Sequence, residues 1–176
     1  MKTPQSLAYI DTNILLAIIG HDAPDQKYRQ AINKILYKHK IKIPQIVLGE
    51  ALAIIVANNP TQGRISQYVR DIESISRKIN LDLDGFPPTS NEIIKKAKQL
   101  ADLSDVINDM DSLILAHAIV DCDATHFFTT DRDLKNTRIM DHVKDLKRMG
   151  VRNRILNIPT DFAIDRGLLG NDKRNR

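Results

Sequence analysis

The sequence predicts an α/β protein with a mostly parallel central sheet and helices on both of its faces. Short apolar runs of strand length recur at Leu7–Ile10, Ile41–Pro44, Ile79–Leu83 and Thr125–Thr130. Helical patterns lie between them, and short strands alternating with helices pair in parallel, because a parallel pair needs a long crossover. Two of the runs end on an acid, Asp11 and Asp131, and in parallel sheets ligands bind beyond the carboxyl ends of the strands.

Taken in order, Leu7-Ala8-Tyr9-Ile10 reads as a buried strand that passes through Asp11-Thr12-Asn13 into a helix ending at Gly20. Asp, Thr and Asn suit such a helix start because their oxygens accept backbone N–H bonds. Pro24 to Lys40 is amphipathic, with Tyr28, Ala31, Ile32, Ile35 and Leu36 on one face. Ile41 to Pro44 is a strand closed by proline, and Ile46 to Ala57 an apolar helix carrying one charge, Glu50. Asn58 to Gly63 breaks the chain, and a helix of alternating charge is expected from Arg64 to Lys78. Ile79 to Leu83 follows as a strand. Thr89 with Glu92 predicts a capping box for a helix to about Asp102. Asp111 to Val120 is a second apolar helix, Thr125 to Thr130 a strand, and Arg154 to Ile158 a last strand.

A chain of 176 residues fits one domain and buries enough surface to fold without disulfides. With 42% hydrophobic and 27% charged residues it is an ordinary globular composition. The single cysteine, Cys122, excludes an intrachain disulfide and a thiolate metal cage, and points to a reducing, cytoplasmic setting. The apolar run before Asp11 is too short for a secretory leader, and no stretch approaches the roughly 20 apolar residues of a membrane span. The net charge of +4 is unevenly spread: from Lys135 onward eleven Lys/Arg face five Asp, which leaves 15 bases against 17 acids before it. A basic C-terminal third on an acidic body suggests an anionic partner, nucleic acid first.

Asp11, Glu50, Asp111 and Asp131 each interrupt or end an apolar segment. A buried carboxylate must be neutralised, paired or bound to a cation. No base within these segments is an obvious partner for all four, and converging acids repel unless a cation joins them. Hard divalent ions such as Mg²⁺ or Mn²⁺ take oxygen ligands and leave positions for phosphate oxygens. Gly49, beside Glu50, is expected to leave room for a close neighbour. Taken singly, Asp111 and Asp131 also read as helix caps.

Four blocks then resemble the PIN domain ribonucleases, which include the VapC toxins of toxin–antitoxin pairs. They are Tyr9-Ile10-Asp11-Thr12-Asn13-Ile14-Leu15, Ile43-Pro44-Gln45-Ile46-Val47-Leu48-Gly49-Glu50, Asp111-Ser112-Leu113-Ile114-Leu115-Ala116-His117-Ala118 and Phe127-Phe128-Thr129-Thr130-Asp131-Arg132-Asp133-Leu134. They occur in the family's order over about 125 residues. The resemblance implies an α/β/α sandwich at 5–162 and a basic tail at 163–176. It implies Asp11, Glu50, Asp111 and Asp131 as the catalytic, metal-binding set, with Asp133 as an auxiliary ligand. Thr12, Asn13 and Thr130 would orient the acids, and the expected assembly is a homodimer. Asp109 is a rival to Asp111 as third ligand; its offset would put it before the helix, and the run Leu113 to Ala116 favours Asp111. Extra residues around 58–80 and after about 160 exceed a compact VapC toxin and bear on the toxin assignment more than on the nuclease.

The expected activity is therefore a Mg²⁺- or Mn²⁺-dependent endoribonuclease that hydrolyses RNA to a 5′-phosphate and a 3′-hydroxyl, as a toxin with a cognate antitoxin or as a processing enzyme. Arg132 and the cluster Lys144, Lys147, Arg148, Arg152 and Arg154 are the candidates for RNA backbone contacts. A non-catalytic RNA-binding subunit and a phosphatase of small esters are the alternatives. The five histidines show no metal-ligand spacing, and His117 reads as a core histidine.

Overall fold

The structure, a computed structural model, describes residues 6–20, 30, 32–34, 36–58, 63–76, 81, 87–103, 105, 107–131, 134, 138, 139, 141 and 142. Its elements are β1 (Ser6–Ile10), α1 (Thr12–Ile19), β2 (His39–Lys42), α2 (Gln45–Asn58), α3 (Arg64–Ser76), α4 (Asn91–Ala101), α5 (Asp109–Val120) and β3 (Ala124–Phe128). The strands form one parallel sheet in the order β2-β1-β3. Leu81, inside the run expected as a strand at Ile79–Leu83, makes an isolated parallel bridge to Ile41. The fold is the expected α/β sandwich, with α1, α2 and α3 packing on one another and α4 packing on α5.

Central placement of β1 explains its sequence. Ala8, Tyr9 and Ile10 are buried, as a strand flanked on both edges and covered on both faces must be. Phe127 and Phe128 on β3, Ile41 on β2 and Ile43 just after it, and Ile114 and Leu115 on α5 complete the centre of the core. Each such side chain contributes roughly 1.5–3 kcal/mol when fully buried. Helix α1 is buried at Ile14, Leu15, Leu16, Ala17 and Ile18, so it reads apolar almost all round. It stops at Gly20, whose φ of 83° is left-handed and whose N–H returns to the Ala17 carbonyl.

Several boundaries differ from the sequence expectation, for reasons of pairing and capping. His39 and Lys40 belong to β2, where they pair with Ser6 and Leu7, and do not extend the preceding helix. Within that expected helix, residues 30, 32–34 and 36 are helical, whereas Tyr28, Ala31 and Ile35 lie outside the described residues. Ser90, not Thr89, caps α4: its side chain accepts from the Ile93 N–H at 3.3 Å. Thr89 instead meets Nε2 of His117 at 3.1 Å and ties the start of α4 to α5. Helix α3 is described as far as Ser76, with Arg77 and Lys78 outside the described residues, and β3 ends at Phe128, after which the Thr129 side chain bonds Asp11. Among the described residues nothing stands within 4 Å of where a Cβ on Gly49 would be, so no close neighbour there explains it. The expected strand at Arg154–Ile158 lies outside the described residues, and no described helix is long and apolar enough to cross a membrane.

Candidate active site

Asp11 lies at the carboxyl end of β1 and begins α1. Its backbone N–H donates to the Phe128 carbonyl at 3.1 Å, which prolongs the β1–β3 pairing by one residue. Its Oδ1 accepts the Ile14 N–H at 2.8 Å as the N-cap of α1. Its Oδ2 accepts from the hydroxyl of Thr129. The side chain is 3% exposed, and burial pushes its pKa up from 3.8 to about 7, against the lowering effect of the Thr129 and Ile14 hydrogen bonds. Asp111 and Asp131 push in the same direction through space, so the structure brings these three carboxylates into one electrostatic neighbourhood.

Glu50 joins them through the next residue in the chain. The Thr12 hydroxyl donates to Oε2 of Glu50, so the first turn of α1 positions an acid of α2 while its N-cap is itself an acid. Glu50 is half-buried on an otherwise apolar helix. Asp111 is the third residue of α5. Asn108, which precedes the helix, caps it by accepting the Asp111 N–H at 2.8 Å and donates through Nδ2 to the Asp111 carboxylate at 2.6 Å. The expectation that Asp109 would precede the helix is therefore corrected: Asp109 is its first residue, exposed, and Asn108 is the cap. Of the two rivals it is Asp111 whose charge acts on Asp11. Asp131 follows β3, with its backbone N–H on the Thr129 hydroxyl oxygen at 2.9 Å.

Among the described residues, three acids thus receive a neutral donor: Thr129 on Asp11, Thr12 on Glu50 and Asn108 on Asp111. Of the three residues expected to orient acids, Thr12 does so; Asn13 is exposed, and neither Asn13 nor Thr130 shows a side-chain hydrogen bond to an acid. Thr129 and Asn108 were not anticipated. Strand register carries the missing signal for Thr129. Ile10 stands beside Phe128, so the next residues, Asp11 and Thr129, are neighbours, and Thr130 is one step out of phase. Asp133, Arg132, Lys144, Lys147, Arg148, Arg152 and Arg154 lie outside the described residues.

The acids do not crowd together. Among the described residues, the group of three ligand-bearing side chains whose ligand atoms all lie within 4.8 Å is Asp121, Cys122 and Asp123, on the exposed turn before β3. Asp121 there is already engaged, accepting from Tyr9 Oη and from Lys42 Nζ, each at 2.7 Å. The acids around Asp11 are spaced more widely than this group. Such a spacing suits an ion that keeps several of its waters and takes few carboxylates directly, which is the habit of Mg²⁺. An all-oxygen donor set with no thiolate or imidazole fits the same class of ion.

Comparison with known proteins agrees with this architecture. No curated protein matches the chain. Among solved structures, a chain in the crystal structure of VapBC2 from Rickettsia felis bound to a DNA fragment from their promoter is similar in fold, with a TM-score of 0.54 at 18% identity, covering 86% of this chain and 98% of that one. The family model for the PIN domain matches residues 8–139, well over half of the chain and inclusive of Asp11, Glu50, Asp111 and Asp131. The chain belongs to the PIN domain family.

Proposed function

We propose that this PIN domain is a divalent-metal-dependent endoribonuclease, with Asp11, Glu50, Asp111 and Asp131 as its metal-binding acids and Asp133 as an auxiliary one. The observation that carries the reading is the state of Asp11: buried, pushed up by Asp111 and Asp131, and given only neutral donors among the described residues. A buried acid without a cationic partner is unfavourable for a fold, and a bound cation removes that cost. PIN domains are generally nucleases, which places hydrolysis of a phosphodiester first among the reactions such a site would serve.

Asp11, Asp111 and Asp131 would hold the ion, directly or through its waters, and Glu50 would complete the set from α2. Mg²⁺ or Mn²⁺, when bound, activates water and stabilises the charge that develops on the phosphate. Thr12, Thr129 and Asn108 keep three carboxylates oriented without adding positive charge that would compete with the ion. Cleavage on this plan leaves a 5′-phosphate and a 3′-hydroxyl. Arg132 and the basic cluster Lys144, Lys147, Arg148, Arg152 and Arg154 would carry the RNA backbone, and the nuclease unit would span 5–162 with a basic tail at 163–176.

The similarity in fold to a VapBC chain favours the toxin branch with a cognate antitoxin; a homodimer and a cytoplasmic setting complete the proposal. The decisive test is cleavage of a mixed RNA with Mg²⁺ or Mn²⁺ by wild type, Asp11→Asn and Asp111→Asn. Wild-type cleavage that needs the ion, and falls by on the order of 10³-fold in either variant, is expected. Undiminished cleavage by both variants would remove these residues from the reaction, and binding of RNA without cleavage would favour a non-catalytic RNA-binding subunit.

A further inference from the structure

His39 and His126 come from the two strands that flank β1, and their rings meet over it. Residues two strands apart start roughly 10 Å from each other, yet these ring centroids are 4.6 Å apart. Small neighbours on β1 allow this: His39 stands beside Ser6 and His126 beside Ala8, two positions that share a face of the strand. A register shift between Leu7 and Ala8 sets the pairing. Leu7 pairs with Ala124 and Ala8 with His126, so Thr125 is the extra residue, and without it His126 would point to the other face. Phe128, buried two residues further on, packs on both rings, with its centroid 5.1 Å from that of His39 and 5.7 Å from that of His126.

The hydrogen bonds fix which ring nitrogen is left over. The Thr125 hydroxyl donates its one proton to the Leu7 carbonyl at 2.8 Å. Its oxygen, 2.9 Å from Nδ1 of His126, can therefore only accept there, so Nδ1 carries the ring proton and Nε2 the lone pair of the neutral ring. Nδ1 of His39 lies 2.6 Å from the Ser6 hydroxyl, which can accept from it in the same way. Among the described residues neither Nε2 has a hydrogen-bond partner. Burial holds both rings below the ordinary histidine value, so both are neutral at pH 7. Each is only half-buried and open to an ion from solvent. An imidazole whose Nδ1–H is held by an oxygen while Nε2 stays open is arranged as a metal ligand. We propose that His39 and His126 form a two-imidazole site for one borderline divalent ion of the Zn²⁺, Ni²⁺ or Cu²⁺ class, with water in its remaining positions. Imidazole suits these ions, whereas Mg²⁺ and Mn²⁺ go to oxygen, so the site selects differently from the acids. Ser6, beside His39, and Asp11 lie at opposite ends of β1, and roughly 16 Å of strand separates them. Lys38, the charge that acts on His39, is exposed and screened by solvent.

The test is a Zn²⁺ titration of the full chain, carrying no histidine tag, followed through the assigned ring C–H resonances of His39 and His126. In wild type at pH 7 both rings should shift together, with one midpoint. His39→Gln should raise the midpoint read at His126, and His126→Gln that read at His39, by at least roughly 10-fold, the smallest usual cost of removing a group that merely orients a ligand. Asp11→Asn and Cys122→Ser should leave the midpoint unchanged, since neither side chain holds the ion. Rings that do not move with Zn²⁺ overturn the inference, as do two rings with different midpoints or a midpoint that a Gln variant leaves in place. A midpoint that moves in Asp11→Asn or Cys122→Ser would give the ion to the acids or to the turn before β3, and overturns it too. If one Gln variant loses the wild-type circular dichroism, the other carries the comparison, and the shared wild-type midpoint decides if neither folds. The metal-dependent reading of the acids is tested separately, by the cleavage assay.

Discussion

Asp11 and Asp121 are the same side chain in opposite surroundings at opposite ends of the parallel sheet. Asp11 follows the carboxyl end of β1, is buried, and receives a backbone N–H and a hydroxyl. Asp121 precedes β3 and receives the Lys42 ammonium, the Tyr9 hydroxyl and the Asp123 N–H. Burial raises both acids. At Asp121 the hydrogen bonds from Lys42, Tyr9 and Asp123, with the charge of Lys42, outweigh it and hold the carboxyl below its ordinary value. At Asp11 the neutral donors do not outweigh it, two further acids add to it, and the group stands at about 7. Asp121 has a cation of the fold beside it, whereas the partners of Asp11 among the described residues are neutral.

The largest expected effect follows from exchanging the two. Asp11→Asn should abolish metal-dependent cleavage by on the order of 10³-fold, while Asp121→Asn should leave the turnover near that of wild type. Equal activity losses in the two variants would erase the distinction.

Next in size is the pH dependence of folding without metal. Asp11 binds its proton more tightly folded than unfolded, so its contribution to stability is complete below pH 3.8 and is lost as the pH rises towards about 7. Asp11→Asn, which keeps a side-chain oxygen for the cap and has no charge to bury, should therefore gain in Tm over wild type across that interval. Thermal denaturation at pH 4, 5.5 and 7 reads the difference, and a constant offset would show that Asp11 is not charged against its surroundings.

A smaller effect is expected at the other aspartate. Asp121→Asn or Lys42→Met breaks a partly buried ion pair whose side chains are 16% and 26% exposed. Each should lower stability by about 1–2 kcal/mol, a few degrees in Tm, with the loss for Asp121→Asn greatest above the carboxylate's titration range. Unfolding curves that overlay wild type would mean that the pair adds nothing.

The smallest effect belongs to His39, whose ring lies 4.6 Å from that of His126 and whose Nδ1 is 2.6 Å from the Ser6 hydroxyl. Burial, then His126 and Lys38, push its pKa down from 6.5 to about 4. A depressed histidine favours the fold above its unfolded pKa, so this contribution fades as the pH falls from 6.5 to about 4. His39→Gln should flatten that fall by under about 1 kcal/mol, since the ring is half-exposed and water screens it. An identical pH profile for the variant would exclude the ring from the acid response.

Much of this architecture is legible in the order of residue types. Apolar runs of strand length and helix length mark β1, α2, α5 and β3, because burial on a sheet or along a helix imposes its period on the chain. The placing of Asp11, Glu50, Asp111 and Asp131 against those runs is legible for the same reason: a charge within an apolar run stands out locally. Which neighbour holds each acid is not a local property. The choice of Thr129 over Thr130 depends on the β1–β3 register, and that of Ser90 over Thr89 on Thr89 being drawn to His117. The conversion of His39 and Lys40 from helix to strand depends on β1 offering them a pairing edge. Pattern is written residue by residue and specifies elements and their exceptions; partners are supplied across the fold by segments far apart in the chain, and only tertiary structure brings them within a hydrogen bond's length.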